Sequence, residues 1–215
     1  DDFLTIASQQ SLPLPLLVTF LAQPGDHLVV DHVWDSETIA AFGQATWSVS
    51  DSLRFTGGLR WTQEDKGADL FAQTNSTAPS VALAGRSLLD SVFAPVDQKF
   101  DRTSEGVDWL ANISYDLNDD VMLFAAVSTG TKSGGFNGAN GDPAEREFDD
   151  EESINYELGI KSEWLENTLR VNATAFQSTF EDYQTQVQQA SGAGSIVSNE
   201  GDVETSGIDL NIEAV

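Results

Sequence analysis

The chain has 215 residues, with 35 Asp and Glu against 10 Lys and Arg, a net charge of −25, and no Cys. Phosphate backbones are held by clusters of Lys and Arg that displace counterions, so nucleic acid is excluded as a partner. The lack of Cys excludes disulfide scaffolds, thiol nucleophiles and Cys-based zinc sites, and 40% hydrophobic content with 12 Phe, 5 Trp and 3 Tyr excludes a disordered chain.

In chain order, residues 1–33 come first. Their longest apolar stretch, 12–22, is interrupted by Pro13 and Pro15. It is too short to span a bilayer as a helix, and the prolines remove helical hydrogen bonds. Asp1 and Asp2 stand where a signal peptide carries positive charge. We read 1–33 as a loop or strand segment leading into a β-structure that occupies 34–215.

From there the dominant signal is period-2 alternation. Ala41, Gly43, Ala45, Trp47 and Val49 alternate with mostly polar neighbours. After Ser50, Asp51 and Ser52, Leu53, Phe55, Gly57, Leu59 and Trp61 alternate with Arg54, Thr56, Gly58, Arg60 and Thr62. A tight turn at 50–52 sets Val49 against Leu53 and Trp47 against Phe55, which brings both apolar sets to one face. Trp109, Ala111, Ile113, Tyr115 and Leu117 repeat the pattern, as do Val121, Leu123, Ala125 and Val127 after a turn at 118–120. Ile154, Tyr156, Leu158, Ile160 and Trp164 alternate with Asn155, Glu157, Gly159, Lys161 and Glu163. A turn over 165–168 leads to Leu169, Val171, Ala173 and Ala175, set against Arg170, Asn172, Thr174 and Phe176, and places Glu163 beside Arg170. A seventh run starts near Glu204, carries Ile208, Leu210 and Ile212 on one face and alternates to its end, so the sequence is read as a segment of a longer protein.

The connections alternate in length. Those near 51, 119 and 167 are short, whereas 64–107, 132–152 and 184–203 are long and rich in Gly, Ser, Asp, Glu and Gln. Long loops on one side only, after every second strand, are the signature of an up-and-down transmembrane β-barrel, with short turns on the periplasmic side. Each run is about ten residues, which matches the 9–11 that a tilted membrane strand needs. Trp47, Tyr115 and Trp164 lie just before short turns and Trp61, Trp109 and Tyr156 toward the long loops, as two interfacial girdles would. A soluble β-sandwich alternates too, but with its polar face outward. Here Arg54, Arg60, Glu157, Lys161 and Arg170 carry both signs of charge at mid-strand and are read as facing a wet lumen. The expected fold is therefore all-β: a partial antiparallel barrel of seven or eight strands.

Four stretches in order carry a family likeness: AFGQ at 41–44 running to GGLRW at 57–61; FAAVSTG at 124–130 with KSGGFN at 132–137; YELGIK at 156–161 with LRVNATAF at 169–176; and VETSGIDL at 203–210. With their turn and loop alternation, they resemble the barrel wall of a TonB-dependent outer-membrane receptor. The resemblance covers about residues 34–215 and places them among the central-to-late strands. The family's plug domain, TonB-contacting segment and C-terminal aromatic strand end have no counterpart in the sequence. The resemblance implies the outer membrane of a Gram-negative bacterium, contact with its lipid, and energised uptake of a scarce solute through the TonB complex. That solute is most often a ferric siderophore, with vitamin B12, haem and oligosaccharide as alternatives. It implies neither a cofactor nor enzymatic activity.

Local motifs add little. His27 and His32, with Asp26 and Asp31, have the residue types of a transition-metal site, but their spacing puts the rings on opposite faces of an extended segment. They are read as loop or strand-end residues. The acidic run between Glu145 and Glu152 has the hard oxygen ligands that suit Ca²⁺ but no EF-hand spacing, and reads as a solvated, self-repelling loop. Segment 128–133 fails as a phosphate-binding loop because Thr131 rather than Gly precedes Lys132. Lys132, Phe136 and Asn137 open the outer loop at the strand rim and are the candidate ligand contacts. With two His, no Cys and scattered Ser, there is no supported catalytic triad. Three function classes stand at this point: a receptor and transporter wall, an outer-membrane β-barrel enzyme, and a secreted soluble glycan-binding β-protein.

Overall fold

The computed structural model describes residues 27–75, 96–138, 143–188 and 194–214, so the apolar stretch at 12–22 lies outside them. Seven strands form one antiparallel sheet: β1 (His27–Ser48), β2 (Leu53–Asn75), β3 (Val96–Asn118), β4 (Val121–Lys132), β7 (Glu151–Trp164), β8 (Leu169–Glu181) and β11 (Val203–Ala214). They pair strictly in chain order, with β1 and β11 at the two edges. Four short strands lie in the loops. β5 (Gly135–Phe136) pairs with β6 (Glu147–Phe148), and β9 (Gln184–Gln188) pairs with β10 (Ser195–Asn199). This is the expected open, up-and-down sheet of seven alternating strands.

The turns set the register. Trp47 pairs with Phe55 across the 50–52 turn, where the Val49 N–H donates to the Leu53 carbonyl at 2.9 Å. The turn after β3 includes a bulge between Asp116 and Asn118, and the Asn118 side chain accepts from the Asp120 N–H at 2.9 Å. Between β7 and β8, Leu165, Glu166 and Asn167 all adopt positive φ, of 56°, 56° and 66°. That conformation disfavours side chains with a Cβ, and the Thr168 hydroxyl steadies it by donating to the Leu165 carbonyl at 2.7 Å.

Directly paired residues share a face. One row therefore runs across all seven strands as Trp47, Phe55, Ile113, Ala125, Leu158, Ala175 and Ile208. It is apolar and largely open, with Ile208 78% exposed. The next row, on the opposite face, reads Ser48, Arg54, Ser114, Phe124, Gly159, Thr174 and Asp209. The exposed rings of Trp47, Tyr115, Trp164, Trp61, Trp109 and Tyr156 all stand on the apolar face, toward its two ends.

The segment 64–107 departs from the expected long loop. β2 and β3 continue in unbroken register to the pair Ala72 and Val96, and β1 accompanies them, so these strands have 22 or 23 residues rather than ten. Above Trp61 the alternation reverses its sense. The face that carries Arg54 lower down now carries Ala68, Leu70, Ala72, Val96 and Phe100, while Asp35, Glu37, Asp65, Asp69, Asp97, Asp101 and Glu105 occupy the other. Ala68, Leu70, Ala72 and Val96 are buried beneath Phe136 of β5, with Leu70 1% exposed. A sheet that leaves hydrocarbon for water must exchange its faces in this way, because the outward side then needs polar groups.

Substitution on the two faces separates them. In the intact protein folded into lipid vesicles, Leu158→Arg is expected to lower stability by about 2–4 kcal/mol. Asn112→Lys on the opposite face should change it by less than about 0.5 kcal/mol. Denaturant titration of both variants measures the difference, and equal losses would remove the membrane assignment of the apolar face.

Candidate functional site

Most of the described ion pairs lie on the polar face and in the loops above it, while Lys99 and Asp69 pair at 2.5 Å on the opposite face. Near the short turns, Arg54 grips Asp116 with two bonds, Nη1 to Oδ2 at 2.5 Å and Nη2 to Oδ1 at 2.7 Å. Arg170 reaches Glu163 at 2.9 Å and Glu213 at 3.1 Å, tying β7, β8 and β11 together. The Glu163–Arg170 pairing expected from the 165–168 turn is therefore present. Arg60 lies over the Phe42 ring at 5.7 Å and Lys161 over the Phe124 ring at 5.4 Å. Glu157 accepts from Asn155 at 2.7 Å. Arg54, Arg60, Glu157, Lys161 and Arg170 thus share one face.

Glycines shape that face. Phe124 pairs with Gly159 and Phe176 with Gly207. A Cβ at Gly159 would lie 2.4 Å from a Phe124 ring carbon, and one at Gly207 would lie 3.0 Å from the Phe176 ring. Each ring lies down over a neighbour that has no side chain, a known way of covering strand glycines.

At the far end of the strands, the β4–β7 loop folds back over the same face and is fastened at both stems. At its start, the Lys66 Nζ donates to the Ser133 Oγ at 2.6 Å and the Gly134 carbonyl at 2.8 Å. Ser133 in turn donates to Glu64, which also accepts from Ser36 at 2.9 Å. At its end, Arg102 meets Asp149 at 3.0 Å and Asp150 at 3.1 Å. Asp150 accepts further bonds from the Ser104 hydroxyl at 2.8 Å and the Gly134 N–H at 2.6 Å. Burial alone would raise the Asp150 pKa, but the donors Gly134, Ser104 and Arg102 outweigh it and hold the carboxyl below its ordinary range. The Ser133 hydroxyl is the main cause that holds Glu64 low, helped by Ser36 and Lys66 against burial.

The residues expected at the rim divide. Lys132 is exposed, with its Nζ 3.6 Å from Glu151. Phe136 is buried, tilted against Phe100 at 5.6 Å and stacked on Trp34 at 6.5 Å. Asn137 is buried between the loops. His32 packs edge-on to Trp34 at 6.1 Å, and among the described residues no group of His, Asp and Glu is placed to hold a metal ion. The acidic run is not simply solvated: Asp149 and Asp150 fasten the loop to Arg102, and Glu151 accepts from the Gln184 N–H at 2.7 Å. The partners Glu64, Lys66, Arg102 and Ser104 escaped the sequence reading because they lie in the segment taken for a loop. Continuing the Leu53–Tyr115 register upward would have set Glu64 against Ser104 and Lys66 against Arg102.

An open sheet with one lipid-compatible face, one charged face and folded loops at a single end defines the wall of a transmembrane β-barrel. The chain belongs to the TonB-dependent receptor-like β-barrel family, whose model matches residues 15–214. It is 28% identical over 182 residues to the pesticin receptors of Yersinia enterocolitica and Yersinia pestis, covering 81% of this chain and 23% of theirs. Among solved structures it resembles the ferric yersiniabactin uptake receptor of Yersinia pestis, with a TM-score of 0.67 and 22% identity over 86% of this chain and 25% of that one. It also resembles a siderophore receptor of Acinetobacter baumannii, with a TM-score of 0.63 and 16% identity over 86% and 24%. At these identities the likeness to the solved structures is one of fold, and the chain spans about a quarter of each relative's length. The family is one of receptors and transporters rather than enzymes, and its members are outer-membrane barrels of Gram-negative bacteria.

The stem contacts predict an acid-labile loop. The folded-state pKa values of Asp150 and Glu64 lie below the ordinary 3.8 and 4.5. Their contribution is complete above those values and is lost as pH falls through the lower folded-state ones. Pepsin should spare the described loop residues 135–138 and 143–148 above about pH 4 and cut them progressively below. Asp150→Asn, which removes part of a mostly buried ion pair, should cost the loop about 1–3 kcal/mol and expose it across the whole range. Cleavage that does not depend on pH in the unmodified protein would contradict this.

Proposed function

We propose that the intact protein is an energised receptor that takes up a ferric siderophore across the outer membrane. The family match over residues 15–214 carries this reading. The names of its relatives support the solute class: one is a ferric yersiniabactin uptake receptor and another a siderophore receptor. In this reading the apolar face meets outer-membrane lipid, and Arg54, Arg60, Glu157, Lys161 and Arg170 line the lumen. Lys132, Phe136 and Asn137 stand at the mouth, Lys132 as a direct contact and the other two as the residues that hold the loop in place. The TonB complex acts through a plug domain in another part of the protein. The residues of this chain supply wall, lumen lining and outer loops; capture happens at the loops, and the energised step happens in the plug.

Uptake of radiolabelled iron as its siderophore complex tests the reading. Deleting the gene in iron-limited cells should lower accumulation at least about tenfold, given the nanomolar-to-micromolar affinities that scarce-solute capture requires. Removing TonB or the proton gradient should have the same effect. Lys132→Ala should weaken binding several-fold with no change in folding. Accumulation that survives loss of TonB would sink the energised mechanism. Uptake of another solute, with none of ferric siderophore, would sink the solute assignment alone.

A further inference from the structure

The described residues of the β4–β7 and β8–β11 loops meet through three side-chain amides, and we propose that these residues form one ledge that opens and closes as a single body. Asn137, in the first loop, is 7% exposed. Its Nδ2 donates to the Val197 carbonyl at 2.8 Å, and the Val197 N–H donates back to its Oδ1 at 2.8 Å. The side chain thus imitates one residue of an antiparallel strand along β10. Its Nδ2 also donates to the Glu145 carbonyl at 2.8 Å, and its own N–H donates to the Arg146 carbonyl at 2.6 Å.

The second loop answers with two amides. The Nε2 of Gln184 lies 2.9 Å from the Asp149 carbonyl, 3.2 Å from that of Ser133 and 3.3 Å from that of Lys132. The Asn199 Oδ1 accepts from the Asp149 N–H at 2.7 Å. Its Nδ2 donates to the Asp149 carbonyl at 3.0 Å and, within its own loop, to the Asp182 carbonyl at 2.7 Å.

Each loop therefore satisfies backbone groups of the other. Parting them would leave donors and acceptors on both sides without partners, an asymmetric loss that drives such groups to separate together or not at all. The first loop is in turn fastened to β2 and β3 through Lys66 and Arg102, so the second loop is tied to the wall by way of the first. A contact made on either loop reaches both, whatever molecule makes it, so the proposal stands apart from the identity of the solute.

Amide hydrogen exchange on the intact protein in detergent micelles tests this. In the unmodified protein, the N–H groups of Asn137, Asp149, Gln184 and Val197 should show protection factors within about threefold of one another, as members of one cooperative unit do. Asn137→Asp turns an amide donor toward two carbonyls as a carboxylate. It should speed exchange in both loops at least about tenfold while β7 and β8 keep their protection. Asn199→Ala, at a more open position, should produce the same joint acceleration. Protection that differs more than about tenfold between the loops of the unmodified protein, or acceleration confined to the loop that carries the substitution, overturns the proposal. If Asn137→Asp does not fold, the unmodified protein and Asn199→Ala decide the question alone.

Discussion

A pairing register carried across seven strands, with a single bulge, is the constraint on which everything else in this molecule rests. Side chains alternate with a period of two, so a slip of one residue in a strand such as β7 would carry Leu158 to the charged face and Lys161 to the apolar one. The short turns guard against that. The 50–52 turn and the strained 165–167 turn have no residue to spare, and the bulge at Asp116 and Asn118 absorbs the one local shift before β4 begins. Bidentate Arg54–Asp116 and the Arg170 bridge to Glu163 and Glu213 sit close to those turns, where they reinforce a register already set by backbone bonds.

The same register carries the fold across two solvents. Below Trp61 the face of β2 opposite Arg54 carries Leu53, Phe55 and Leu59, and above it the same face carries Asp65 and Asp69. The backbone pairing of β1, β2 and β3 runs through the change without a shift, and the side chains mark it. Ala68, Leu70, Ala72 and Val96 make the far end of the Arg54 face apolar, so it needs a cover, and Phe136 supplies it. The stem contacts at Ser133, Gly134 and Asp150 hold that cover in place.

This division explains what could be read from the sequence. Alternation over 41–61, 109–127, 154–176 and 204–212 is regular and one-sided, so strands, turns and the Glu163–Arg170 contact all follow from residue identity. The extensions of β2 and β3 alternate only in part and with the opposite sense: polar runs such as 63–66 and the apolar run 70–72 interrupt the pattern, and their Gly, Asp and Glu content made them look like a loop. The candidate site was legible only in part. Lys132 is where its position in the strand rim put it, but the burial of Phe136 and Asn137 depends on Trp34, Phe100 and Val197, which lie 36 to 102 residues away. No local pattern encodes contacts at that distance. Arg102 and Asp150 likewise find each other only because the register brings β3 beneath the loop.

The recumbent rings of Phe124 and Phe176 bear on the bore of any channel that the polar face lines. A phenyl group that stands up from a strand narrows the passage, whereas one lying across Gly159 or Gly207 becomes part of the wall's thickness. A β-branched residue at either glycine would tip its ring into the interior, and at Phe124 it would also dislodge the ammonium of Lys161. Strand number and tilt fix the barrel's width, and within that width two residues with no side chain decide how much of it these rings leave open.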